Sequence, residues 1–245
     1  MVDYKEVFKN PLLAEVVFEA RFPILLRIPR DIADFQETIL EKFPETNIIY
    51  DKKFFLNSKD HSEELAEKSW EFLNLQNKTK CQVYNHRLSL FSNEYKSWEK
   101  QKSEEGFVDI LKYCLDNFLE VFKIKKFNRL GLRYINKIKF ETKTSEWFKK
   151  YFVPIFDIDK YSIEELSQNS VRLRVGKKDS IELTIMSGFL KEKDSYLYLL
   201  DFDAFSLNIK RENLYEKLEK LHNVILKEFH LLITEECRKK MRGEK

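Results

Sequence analysis

One short run of the chain, residues 129–139, alternates between apolar and basic side chains. Such alternation places the two kinds of side chain on opposite faces of a β-strand. Residues 123–143 hold eight Lys and Arg against the single acid Glu141, so one face of this strand is strongly basic. A basic face of this kind can hold the phosphates of RNA, DNA or a nucleotide. The binding candidates in this run are Arg129, Arg133, Tyr134, Asn136 and Lys137.

A structural role for the same arginines is the alternative interpretation. The first predicted strand, residues 15–22, also alternates and carries Glu15 and Glu19 on one side. If the first strands of two halves of the chain lie side by side, these carboxylates could face Arg129 and Arg133 as cross-strand ion pairs. The sequence leaves both interpretations open.

Two further groups of residues could do chemistry. Tyr95 and Trp98 lie beside Glu99 ahead of a predicted helix, where they could form a binding surface or anchor the core. Asp201 and Asp203 flank Phe202, so both carboxylates would point to one side of a strand and could hold Mg²⁺ or act as acid and base. No third acid or histidine lies nearby in the sequence, so the favoured interpretation is a structural role for both aspartates at a strand end or turn.

Several classes of site are missing from the sequence. Five glycines in 245 residues leave no phosphate-binding glycine loop, and the four histidines have no metal-ligand spacing. The three cysteines, Cys81, Cys114 and Cys237, are far apart and read as reduced core thiols. A formal net charge of +3 gives no bulk attraction to nucleic acid or anionic membrane. We therefore predict no metal, no cofactor and no catalytic residue.

The elements that must position these residues follow one order twice. Each half reads as a strand, a short helix, several strands and a long helix. The predicted helices cover residues 31–43, 104–122, 145–152 and one long final helix, with a loop or short helix in the polar stretch 57–68. The predicted strands cover residues 15–22, 47–56, 70–75, 80–91, 127–140, 171–175, 181–186 and 196–202.

The two long helices carry matching apolar stripes. Each residue of the first stripe lies 107 positions before its counterpart in the second. The first stripe is Phe107, Leu111, Cys114, Phe118 and Phe122, and the second is Leu214, Leu218, Leu221, Ile225 and Phe229. We predict an α+β fold made by tandem duplication, with mainly antiparallel sheets packed on two long helices. The repeats would be residues 1–126 and 127–245, packed as one body.

Five segments carry a resemblance to a known family. They are PLLAEVVFEARFP, YKSWEKQKSEEGF, RLGLRYINKI, LLDFDAF and LEKLHNVILKEFHLLITEECRKKM. Over nearly its whole length the chain resembles a sporadically distributed prokaryotic family of proteins of about this length, whose function is not established. The resemblance implies a cytoplasmic protein with the patchy occurrence of mobile-island, toxin–antitoxin or antiviral defence components. It implies no catalytic residues.

The functional expectation is a non-catalytic binding or assembly protein, an accessory component of a prokaryotic defence or toxin–antitoxin type system. Its partner would be another protein or a second copy of the chain, with nucleic acid as the other candidate and no membrane. The rival hypothesis is an RNA- or nucleotide-processing enzyme. In that enzyme strand 129–139 would hold phosphate, and His86 or Asp201 and Asp203 would supply acid–base or metal chemistry.

Overall fold

The computed structural model describes residues 4, 6–56, 62–76, 78–95, 97–100, 105–140, 144–155, 157, 168–191 and 195–244. Within these residues the protein is α+β, with nine strands in one antiparallel sheet and five helices. The strands are β1 (Leu13–Arg21), β2 (Glu45–Leu56), β3 (Ser62–Asn74), β4 (Thr79–Tyr84), β5 (Arg87–Ser92), β6 (Lys126–Phe140), β7 (Gln168–Lys177), β8 (Ile181–Lys191) and β9 (Tyr196–Lys210). The helices are α1 (Ile28–Ile39), α2 (Phe107–Phe122), α3 (Ser145–Tyr151), α4 (Leu214–Leu232) and α5 (Glu235–Arg242).

The strand order in the sheet is β2-β3-β4-β5-β1-β6-β9-β8-β7. The chain divides into two compact units. One unit comprises Met1–Val16, Leu130–Leu207 and Glu212–Lys245, and the other comprises Val17–Arg129 and Asn208–Arg211. The division into repeats at residues 126 and 127 stays a prediction. No helix in the described part of the chain has both the length and the apolar character needed to cross a membrane.

The predicted periodicities account for the main elements. In β1, Val16, Phe18 and Ala20 are buried and alternate with partly exposed residues, as one packed face of a sheet requires. The helix stripes are also in the core: all five stripe residues of α2 are buried, and so are four of the five in α4. The exception is Phe229, which is partly exposed.

The polar stretch 57–68 differs from its predicted loop or short helix. Residues 57–61 lie outside the described part of the chain, but residues 62–68 belong to strand β3. Over this stretch β3 pairs with β2 alone, because its pairing with β4 begins only at Trp70. Strands are recognised in a sequence by alternating apolar and polar residues. The polar residues 62–68 lack this alternation, so the sequence did not predict a strand here.

Two further element boundaries differ from the prediction. The single strand expected over residues 80–91 is a hairpin, with Asn85 and His86 in the turn between β4 and β5. The single final helix ends at Leu232, and a second helix begins after Thr234, whose hydroxyl accepts a hydrogen bond from the Cys237 amide at 3.3 Å. Between the two helices the extended Ile233 forms a β-bridge with Phe152. The backbone of that bridge replaces the helical hydrogen bonds, which explains the break.

Candidate functional site

Arg129 is part of an ion-pair cluster. Its guanidinium donates to Glu19 Oε1 at 2.8 Å. The same carboxylate accepts from Arg21 at 2.8 Å and lies 3.5 Å from Arg87. The cross-strand partner predicted for Arg129 is therefore present in the fold, which favours the structural interpretation of this arginine.

Arg133 has a different partner from the one that the alternation suggested. It donates to both oxygens of Asp201, at 2.9 and 2.6 Å, in a bidentate pair. The Asp201 side chain is 5% exposed and the Arg133 side chain 43%. The pKa of Arg133 is raised, first by the hydrogen bond to Asp201 and further by the charges of Asp201, Asp203 and Glu15. Asp201, rather than Glu15 or Glu19, thus holds this guanidinium.

Tyr134 and Asn136 point into the protein interior. The Tyr134 hydroxyl forms a 2.7 Å hydrogen bond with His222 Nδ1, and burial raises the pKa of Tyr134 well above its ordinary value. The Asn136 side-chain amide donates to the Leu200 carbonyl at 3.0 Å. Both polar groups therefore form hydrogen bonds with partners inside their own unit.

Tyr95 and Trp98 pack around the start of helix α2. Trp98 is buried, and its carbonyl accepts a hydrogen bond from the Val108 amide at 2.9 Å. The Tyr95 ring packs edge-on against Phe107, and its hydroxyl donates to Glu105 at 3.1 Å. Desolvation raises the pKa of this tyrosine. This geometry matches the core-anchoring alternative for both aromatics.

Gly106 explains why the chain can approach itself so closely at this point. A Cβ atom on Gly106 would lie 2.4 Å from the Trp98 carbonyl oxygen and 2.4 Å from the backbone carbon of Glu99. Backbone atoms cannot move aside cheaply, so only glycine fits this turn. The Gly106 amide also donates to the Asp109 carboxylate in the first turn of α2, at 2.9 Å.

Of the predicted binding residues, Lys137 lines a pocket formed by the described part of the chain. The pocket has a volume of about 500 Å³ and lies within the unit that contains α3 and α5. Three lysines line it, together with three aromatic residues and five others, and we call it the lysine–aromatic pocket. The lysines are Lys137, Lys139 and Lys240; the aromatics are Trp147, Tyr151 and Phe152; the others are Asn10, Leu12, Ile138, Cys237 and Met241.

Four segments of the chain form this pocket. Strand β6 supplies Lys137 and Lys139 at alternate positions, and helices α3 and α5 supply most of the remaining wall. The segment before β1 is tied to both sides, because the Lys137 amide donates to the Leu12 carbonyl at 3.1 Å and the Asn10 amide donates to the Met241 carbonyl at 2.8 Å. These backbone contacts fix the pocket without using its lining side chains.

The aromatic wall of the pocket is held in place by stacking. The Trp147 ring lies against Phe140 with ring centroids 4.1 Å apart and an interplanar angle of 16°. Two ammonium groups lie over the Tyr151 ring, those of Lys240 at 5.1 Å and Lys150 at 5.6 Å from the ring centroid. Cations at these distances interact favourably with an aromatic face. The wall therefore places positive charge and flat apolar surface next to each other.

The described lining of the pocket contains three lysines as its charged residues. Among the described residues that line it there is no Asp, Glu or His. Glu6, four residues before Asn10, is held by Arg242, which donates to both of its oxygens at 2.5 and 2.8 Å and lowers its pKa. Burial raises the pKa of Cys237 to about 11, so its thiol is neutral and acts as an apolar part of the wall.

The residues considered for metal or acid–base chemistry are not among those that line the pocket. Asp201 is paired with Arg133, and His86 Nδ1 lies 3.2 Å from Glu67. Across the described residues, no three His, Cys, Asp or Glu side chains are grouped so that they could hold a metal ion.

Sequence reasoning missed most of the pocket. Trp147 and Tyr151 fall within the helix predicted over residues 145–152, and the basic run 238–242 follows the predicted long final helix; its charges suit the negative end of the helix dipole, with a weak contact to nucleic acid as the alternative. The signal that could have found them is the pairing of aromatic with basic residues in residues 147–151. Their proximity to residues 137 and 240 depends on the break between α4 and α5, which the helical pattern did not show.

Searches of family models and of curated proteins find no match to this chain. The resemblance stated from the sequence therefore stays a prediction, and the site is interpreted from its own geometry.

Proposed function

We propose that the protein is a non-catalytic binding protein whose lysine–aromatic pocket holds an anionic ligand. One observation carries the proposal: three lysines converge on a pocket of about 500 Å³ that has an aromatic wall and no acidic residue among its described lining. Binding pockets in proteins commonly combine apolar and aromatic walls with a few polar groups that fix the ligand.

The preference for an anion rests on Lys137 and Lys240. Both are exposed, and among the described residues neither ammonium group has a carboxylate within ion-pair distance. Bringing like charges together in one concave site raises their mutual repulsion, which a bound anion would relieve. Pockets lined by a single sign of charge also concentrate ligands of the opposite sign.

Binding rather than catalysis is supported by the state of the candidate reactive groups. Catalysis by proton transfer needs a group that changes charge near the working pH. The pocket lining offers lysines, a tyrosine and the neutral Cys237 thiol, but no histidine or carboxylate among its described members. Arg133 and Asp201, which the enzyme hypothesis would use, neutralise each other. The accessory role in a defence or toxin–antitoxin type system stays a prediction from the resemblance.

A tandem duplication is part of the same proposal. In each half of the chain the first strand lies beside the last one, β1 beside β5 and β6 beside β9. The remaining strands then run outward in the orders β4-β3-β2 and β8-β7. Together with the matched stripes of α2 and α4, this order supports descent from one repeated unit. The lysine–aromatic pocket would then be built mostly by the second copy, with Asn10 and Leu12 contributed by the first.

Calorimetric titration with inorganic pyrophosphate tests the binding site. Wild-type protein should bind pyrophosphate, and Lys137→Ala and Lys240→Ala should each weaken binding roughly tenfold, because a charged hydrogen bond is lost. Lys126→Ala is the matched control, since Lys126 is also an exposed lysine of β6 but does not line the pocket. Absence of binding, or equal affinity in all three variants, would contradict the proposal.

A further inference from the structure

We infer that the ligand of the lysine–aromatic pocket is a nucleotide, with its base on the aromatic wall and its phosphates at the lysines. This inference rests on the proposed function and adds the chemical class of the ligand. A bare inorganic anion would use the lysines but would leave the aromatic wall without a role. A nucleotide carries a flat aromatic group and a phosphate group on one sugar, which matches both parts of the lining.

The size of the pocket suits such a ligand. Pockets for organic ligands and cofactors measure roughly 300–1,000 Å³, and this one measures about 500 Å³. An inorganic phosphate or pyrophosphate would fill only a small part of that volume. The remaining space borders Trp147, Tyr151 and Phe152, so it is bounded by apolar surface rather than by further charge.

The aromatic wall is prepared for stacking. Trp147 is half-buried, and its contact with Phe140 fixes the plane of the indole before any ligand arrives. A side chain that is already ordered loses little entropy when a base packs against it. Stacking of a base on an aromatic side chain contributes substantially to nucleotide binding and works with any base, because every base has a π face.

Positive charge and polar groups lie close to this wall. The Lys240 ammonium is 5.1 Å from the centroid of the Tyr151 ring. The exposed side chain of Asn10, also in the lining, has both a donor and an acceptor, so it can bind the edge of a base. One small region thus offers a stacking surface, a hydrogen-bonding amide and cations for phosphate.

Two sources could supply this chemistry, a free nucleotide and the phosphorylated end of a nucleic-acid strand. Both present a base next to a phosphate, so the lining alone favours them equally. ADP and a short single-stranded oligonucleotide with a 5′-phosphate are the two probes that separate them.

Calorimetric titration of the full chain with ADP and with pyrophosphate tests the inference. The nucleotide probe should bind roughly tenfold or more tightly than pyrophosphate, because stacking adds to the phosphate contacts. Trp147→Ala should reduce ADP affinity to that of pyrophosphate and leave pyrophosphate affinity unchanged, while Trp147→Phe, which keeps the ring against Phe140, should retain most of the difference. Tighter binding of the 5′-phosphorylated oligonucleotide than of ADP would assign the strand end as the source.

Tryptophan fluorescence keeps the test decisive if Trp147→Ala does not fold. Trp70 and Trp98 are buried in the other unit, so quenching of wild-type emission by a bound base reports Trp147. ADP or the oligonucleotide should quench, and pyrophosphate should not. If pyrophosphate binds through Lys137 and Lys240 but neither nucleotide probe binds more tightly or quenches, the nucleotide inference fails and the anion site stands. If no probe binds, both fail.

Discussion

Removing Arg133 should destabilise the fold more than removing its partner Asp201. The two side chains form a bidentate pair, but the carboxylate is only 5% exposed and the guanidinium is 43% exposed. In Arg133→Met a nearly buried carboxylate loses its counter-charge while the charges of Asp203 and Glu15 remain close by. We expect a loss of about 2–3 kcal/mol in the free energy of unfolding, at or just below the range for broken buried pairs because the guanidinium is half-exposed.

Asp201→Asn should cost less, because water can still solvate the half-exposed guanidinium that it leaves behind. We expect about 1 kcal/mol, which is in the range for partly exposed pairs and single hydrogen bonds. The double variant should then recover part of the sum, with a coupling free energy of about 1–2 kcal/mol. Urea unfolding followed by circular dichroism at constant pH gives the free energies of unfolding of the wild type, the two single variants and the double variant, from which the coupling free energy is calculated.

Arg172→Met is the control for loss of a strand arginine, because Arg172 is exposed on β7 and has no ion-pair partner among the described residues. It should change the free energy of unfolding by less than about 0.5 kcal/mol. Equal costs for Arg133→Met and Asp201→Asn, or a coupling free energy near zero, would refute the assignment of Arg133 as a structural partner. The phosphate-binding interpretation of this arginine would then regain support.

Three further predictions concern other polar contacts. Arg242 lowers the pKa of Glu6, so the charged carboxylate stabilises the fold at pH values above its ordinary pKa of 4.5, and this stability is lost as the pH falls through the lowered pKa. Arg242→Ala should therefore weaken the pH dependence of the free energy of unfolding between about pH 6 and 3. An unchanged pH dependence would count against the pair. The Cys237 thiol, with a pKa of about 11 and almost no exposure, should resist a thiol reagent at pH 8 until the protein is unfolded. Rapid labelling in the native state would show that this face of α5 is not packed against the rest of its unit. Tyr134→Phe should cost about 1–2 kcal/mol in urea unfolding because buried His222 Nδ1 loses its 2.7 Å partner, and a cost near zero would contradict that contact.

The parts of the fold that were predictable are those with strong local periodicity. The stripe from Phe107 to Phe122 keeps apolar residues on one face for about four helical turns, and β6 alternates along most of its length. Burial enforces both patterns, since an element with one packed face must repeat its apolar residues at its own period. The same reasoning fails at residues 62–68, which form a strand although their sequence is polar.

The candidate site was less predictable because it depends on contacts between distant segments. Sequence alternation correctly separated the buried Tyr134 from the exposed Lys137, but it could not show that Asp201 lies opposite Arg133. The pocket needs the bridge between Phe152 and Ile233, which brings α3 and α5 together. A β-bridge of one residue pair leaves no periodic signal, so the aromatic wall could not be joined to the lysines from sequence alone.

The location of ligand binding can be measured directly by nuclear magnetic resonance. The chain has three tryptophans, and an amide spectrum of uniformly ¹⁵N-labelled protein shows one indole signal for each. On addition of ADP we predict a shift of the Trp147 indole signal, assigned with Trp147→Phe, while the signals of buried Trp70 and Trp98 stay in place. The shift should disappear in the double variant Lys137→Ala/Lys240→Ala. An unmoved Trp147 signal at saturating ADP, or shifts confined to Trp70 and Trp98, would contradict ligand binding in the lysine–aromatic pocket.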